Sequence, residues 1–111
     1  MRQYLIDDLS PMERDNIDSY LKRTFQRGPM IGLYWIVLPA EMLSELQREH
    51  EEKCGPYYCG VEVEKYAVRF EMLVRSHANL HCDCIAHATQ EQRQYILDLA
   101  DKMLTEELIR S

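Results

Sequence analysis

The chain has 111 residues, 46% of them hydrophobic, and a formal net charge of −6, which suits one folded domain with its own core. An acidic chain without a Lys/Arg block lacks the cationic side chains that grip phosphate backbones, and the nearest basic cluster is only Lys22-Arg23 with Arg27. The longest apolar stretch, Met30 to Leu38, falls far short of the ~20 residues of a membrane helix, and Asp7-Asp8 interrupt the N-terminal segment before a signal-peptide core can form. The expectation is a single cytoplasmic domain over 1–111, with no membrane or nucleic-acid partner and no cofactor.

In chain order, Gln3 to Ile6 reads as a short strand. Ser10-Pro11-Met12-Glu13 is a helix start: Ser10 caps, Pro11 suits the first helical position and Glu13 reaches back to the cap amide. Ile17, Leu21 and Phe25 follow at helical spacing, and Gly28-Pro29 closes the helix. Met30 to Leu38 is apolar on both faces, which predicts a central strand covered on both sides. Pro39 opens a helix over about Ala40 to Lys53, with Met42, Leu43 and Leu46 as its buried stripe and a polar far end. Cys54 to Gly60 is rich in turn residues.

Val61 to Val74 alternates, with a phase slip near Glu64-Lys65 that predicts a bulge or bend. Arg75 to Asn79 reads as a turn, and Leu80 to Ala86 as a further strand. Thr89-Gln90-Glu91-Gln92 is a capping box for a last helix, whose apolar stripe is Ile96, Leu99, Ala100, Met103 and Leu104. The order (β)αβαββα predicts an α+β domain: a small antiparallel or mixed sheet of three to four strands with three helices, packed mainly on one face.

The last two predicted strands should pair as a hairpin. Setting Phe70 opposite Cys82 and Val68 opposite Cys84 brings Glu71 to His81 and Arg69 to Asp83. A shift by two would oppose Glu71 to Asp83, a like-charge pair that costs up to about 1 kcal/mol.

Four cysteines, Cys54, Cys59, Cys82 and Cys84, with His81 and His87 nearby, supply enough ligands for zinc by count. The predicted strands argue against one site. Cys59 would lie on the order of 30 Å from Cys84 along a straight strand, and small buried thiols are the plainer reading. A Cys82–Cys84 disulfide is not expected, because i and i+2 on a strand stand near the ~7 Å Cα limit. If any pair is exposed and reactive, Cys54 and Cys59 in their turn-rich segment are the better choice.

Arg69, Glu71, His81 and Asp83 would line a solvated sheet face, and Tyr57-Tyr58 would sit in a loop as contact residues. No nucleophile elbow, phosphate loop or metalloprotease motif occurs, so no catalytic residue is assigned and the reading leans away from an enzyme. A non-catalytic binding or regulatory module follows, a homo-oligomer or one with a protein partner. The alternative is a zinc-binding or thiol-reactive protein using Cys54/Cys59 or Cys82/Cys84 with a nearby His.

Overall fold

The helix start at Ser10 forms as its pattern dictates. In a computed structural model, which describes residues 3–109, helix α1 (Pro11–Thr24) begins with Ser10 Oγ accepting from the Glu13 amide while the Glu13 carboxylate accepts from the Ser10 amide. The elements are β1 (Gln3–Ile6), α1, β2 (Gln26–Arg27), β3 (Leu33–Val37), a 3₁₀ turn (Ala40–Met42), α2 (Glu45–Cys54), β4 (Tyr57–Val63), β5 (Val68–Glu71), β6 (Leu73–Ser76), β7 (Ala86–His87) and α3 (Gln90–Glu106). The α+β class holds. The sheet, however, has seven strands rather than three to four, in the order β1-β5-β4-β3-β2, with β6 joining the start of β4 and β7 beyond it. All its pairings are antiparallel.

The extra strands arise where one long strand was expected. Val61 to Val74 folds back on itself: the Glu64 amide donates to Ala67 O at 2.8 Å, and Val63 then pairs with Val68. The phase slip at Glu64-Lys65 is therefore a hairpin turn. A bulge does exist, but at Met72. Between the pairs Tyr58–Arg75 and Val61–Phe70, Glu71 to Val74 on one strand oppose only Cys59 and Gly60 on the other. At this break the Met72 carbonyl accepts from the Ala88 amide at 2.9 Å.

The proposed hairpin register is overturned by the same change. Phe70 faces Val61 and Tyr4, Arg69 faces Glu62 and Leu5, and Glu71 faces Gln3. Residues 80–85 form turns rather than a strand, and only Ala86–His87 pairs, with Val74 and Leu73.

Registration puts Ile6, Ile36, Cys59, Val61, Val68 and Phe70 on one face. They form the core with Ile17 and Leu21 of α1 and Ile96, Ala100 and Met103 of α3. Each large apolar side chain so buried contributes roughly 1.5–3 kcal/mol. The opposite face carries Trp35 stacked on Tyr58 at 4.5 Å, with the His77 ring 4.4 Å from Trp35. It also bears the Arg69–Glu64 and Arg75–Glu71 pairs at 3.0 and 2.7 Å. β3 is accordingly not covered on both sides. It lies between β4 and the two-residue β2, its outward side chains are only partly covered, and Val37 is 41% exposed. At the tip of the β2–β3 connection Gly32 has φ +85, and a Cβ there would meet Val63 O at 3.1 Å. Glycine avoids both the strain and the contact.

The predicted helix over Ala40 to Lys53 divides at Ser44. This residue caps α2 with Gln47 as its capping-box partner. The break turns Leu46 outward, 41% exposed, and buries Gln47 instead. Among the described residues no helix is long and apolar enough to cross a membrane.

Candidate metal centre

Helical periodicity places residues four apart on one face, and α2 uses it at its end. His50 and Cys54 project together from the last turn. Opposite them, the segment between β6 and β7 makes a tight turn in which the Ile85 amide donates to Cys82 O at 3.1 Å. This turn folds Cys84 back beside Cys82. The result is a cluster of His50, Cys54, Cys82 and Cys84 whose ligand atoms all lie within 4.8 Å of one another. His50 Nδ1 stands 3.1 Å from Cys82 Sγ, and the Cys84 and Cys82 sulfurs are 2.7 Å apart. Around a tetrahedral ion with ~2.3 Å bonds to sulfur, donor atoms sit about 3.6–3.8 Å from one another. The cluster therefore has the right size, and an ion would spread Cys82 and Cys84 by about 1 Å.

The surroundings favour a thiolate at Cys82 and disfavour one at Cys54. Cys84 donates through both its thiol and its amide to the Cys82 sulfur, the amide at 3.4 Å. These bonds, with Cys54 and His50 nearby, hold the Cys82 thiol well below its usual range. Cys54, hydrogen-bonded to Cys82 and buried, is shifted upward. The Tyr57 hydroxyl, on the inner face of β4, donates to Cys84 Sγ at 3.2 Å. Thiol protons must leave when a metal binds, so donors aimed at sulfur support the bound form.

Two capping-box glutamines lock the turn. Gln47 accepts the Ser44 amide and donates its side-chain NH to Cys84 O at 3.2 Å. Gln92 accepts the Thr89 amide and donates to Gln47 Oε1 and Met42 O, both at 2.9 Å. Gln47 and Gln92 are 2% and 1% exposed, and among the described residues no buried side-chain nitrogen or oxygen lacks a partner. Glutamate at either position would cap as well but would bury a charge; the amide supplies the extra donor. At the other end of the turn segment, the Ser76 hydroxyl donates to Cys54 O and accepts the Asn79 amide at 3.0 Å. The His77 amide donates to Pro56 O at 3.0 Å.

The cysteines are thus not separated as strand geometry implied. Three converge, because residues 80–85 are a turn and because His50 and Cys54 come from a helix rather than from the sheet. Cys59 alone stays apart: it faces inward on β4 opposite Ile36, fully buried, and burial pushes its thiol up to about 12. Cys54 and Cys59 are not an exposed pair; both are buried. Tyr57 and Tyr58 lie on β4 rather than in a loop, 1% and 9% exposed. His81 and Asp83 are exposed in the turn segment, away from Arg69 and Glu71, whose ionic partners are Glu64 and Arg75. His50 lies in the polar far end of the predicted helix, where charge and polarity alone point to solvent, although the spacing His50-x3-Cys54 carries a signal: two ligands on one helical face.

The chain matches no protein-family model, no curated protein and no solved structure.

Proposed function

We propose that the protein is a small metal-binding domain in which His50, Cys54, Cys82 and Cys84 hold one zinc ion as a structural cross-link. The observation that carries this reading is the convergence of three sulfurs and one imidazole nitrogen, all within 4.8 Å, from two separate segments. Three thiolates with one histidine is a closed, four-coordinate donor set. It leaves no position for water or substrate, as a catalytic zinc requires. Soft sulfur donors select zinc over magnesium, calcium or manganese, which take oxygen ligands. The ion would tie the end of α2 to the β6–β7 connection, a region poor in regular hydrogen bonding. Its role is then to fix a surface segment on a domain whose sheet core stands independently. This fits a binding or regulatory module rather than an enzyme.

Metal analysis of untagged protein, purified without chelator, tests the proposal. About one zinc per chain is expected. Cys54→Ser and Cys82→Ser should each lose most of it, and Cys59→Ser should retain it. Protein that carries no zinc and takes none up on titration, or zinc retained by both ligand variants, would overturn the reading.

A further inference from the structure

The two turn cysteines differ from the rest of the cluster. Cys82 is partly open to solvent, while Cys84 and Cys54 are buried. Their sulfurs, 2.7 Å apart, are already closer than two ligands of one tetrahedral ion would sit, yet well beyond the ~2.05 Å of a disulfide bond. The turn closed by the Ile85 amide removes the obstacle that an extended strand would set against joining residues i and i+2. Cys59 has no such neighbour, and Cys54 is anchored on α2 with its carbonyl bonded to Ser76.

We propose that Cys82 and Cys84 form a redox pair through which a hydroperoxide ejects the metal. The inference rests on the metal site described above and concerns its regulation. The accessible Cys82 thiolate attacks one peroxide oxygen and the O–O bond breaks. Cys82 becomes a sulfenic acid, giving two electrons to the oxidant, and the departing hydroxide takes a proton and leaves as water. The Cys84 thiolate then attacks the Cys82 sulfur, forming the S–S bond and expelling a second hydroxide, which also leaves as water. Two thiolates, one hydrogen peroxide and two protons give one disulfide and two waters. The ion keeps only His50 and Cys54 and dissociates into solvent. A dithiol reductant reverses the step by exchange. The consequence is local: the clamp between α2 and the β6–β7 connection opens, while the sheet core holds no oxidisable partner for Cys59.

The test treats zinc-loaded full-length protein with increasing hydrogen peroxide in the presence of a chromophoric chelator, followed by peptide mapping under non-reducing conditions. Zinc should be released in proportion to disulfide formed, with the loss of two hydrogens mapped to the Cys82–Cys84 peptide, and dithiothreitol should restore binding. Cys59→Ser should behave as the parent. In Cys84→Ser, already deprived of a ligand, Cys82 should stop at a sulfenic acid that dimedone traps. Zinc retained while peroxide is consumed, a disulfide to Cys54 or Cys59, or Cys82 passing directly to sulfinic acid would overturn the pair. A chain that never binds zinc refutes the metal site instead. There the same map on metal-free protein decides the redox pair by itself: a Cys82–Cys84 disulfide supports it, and its absence refutes it.

Discussion

The sheet body and the region around α2 and the β6–β7 turn are built on different physics. In the body, β1, β3, β4 and β5 present alternating apolar residues to α1 and α3, and residues such as Val61, Val68, Ile17 and Ile96 are completely buried. Stability there is spread over many interchangeable contacts. Around the turn, regular structure shrinks to the two-residue β7. Order is carried by a few directed bonds: Gln92 to Gln47, Gln47 to Cys84, Ser76 to Cys54, and the sulfur cluster itself. The first region depends on how much apolar volume is buried and does not need any particular hydrogen-bond partner. The second depends on each partner being present.

The largest effect should come from the body. Phe70→Ala empties a site 1% exposed at the centre of the core, and a loss of about 3–5 kcal/mol is expected. Urea unfolding should show this loss with and without chelator alike; a loss appearing only in chelator would erase the distinction between the regions.

Gln47→Leu probes the second region. It leaves Cys84 O without its side-chain donor and takes from Gln92 one of its two acceptors, Met42 O remaining, for roughly 1–3 kcal/mol. Because Gln47 positions a ligand-bearing turn, zinc affinity should also fall about 10–100-fold. Competition with a chelator of known affinity measures this. Unchanged zinc affinity in a folded Gln47→Leu protein would show that the glutamine relay does not hold the turn.

The smallest effect at neutral pH concerns Tyr34. Its buried hydroxyl donates to Asp18 Oδ1 at 2.6 Å, and burial followed by that carboxylate pushes its pKa up to about 12 from an ordinary value of 10. The folded chain thus keeps a proton that the unfolded chain releases first. The stabilisation is complete below pH 10 and is lost as pH climbs from 10 towards 12. Tyr34→Phe removes one hydrogen bond, about 1 kcal/mol, and also this alkaline sensitivity. The stability gap between parent and variant should narrow as pH rises from 10 towards 12; a constant gap would mean that folding does not raise the Tyr34 pKa.

The contrast also explains what could be read in advance. Periodicity and caps depend on neighbours in sequence, so Ser10 with Glu13, Thr89 with Gln92 and the stripe from Ile96 to Leu104 announced α1 and α3 directly. The number of strands was harder. The slip at Glu64-Lys65 is the same local signal whether it marks a bulge or a full reversal, and only the pairing of Val63 with Val68 distinguishes them. The site was the least legible part. Assigning 80–86 to a strand sent Cys82 and Cys84 away from Cys54, when a turn brings them together. Two local patterns did foreshadow the arrangement: Ser44-x-x-Gln47 is a capping box that divides the helix, and His50-x3-Cys54 places two ligands on one face. Neither reveals that the Gln47 amide reaches Cys84, because that contact spans 37 positions.

X-ray absorption at the zinc edge tests the central claim most directly. For the purified full-length chain it should show three sulfur scatterers at about 2.3 Å and one nitrogen at about 2.0–2.1 Å. Replacement of His50 by alanine should remove the nitrogen shell or the metal altogether. A shell of oxygen and nitrogen alone, or two sulfurs with the remainder water, would contradict a closed site built from His50, Cys54, Cys82 and Cys84.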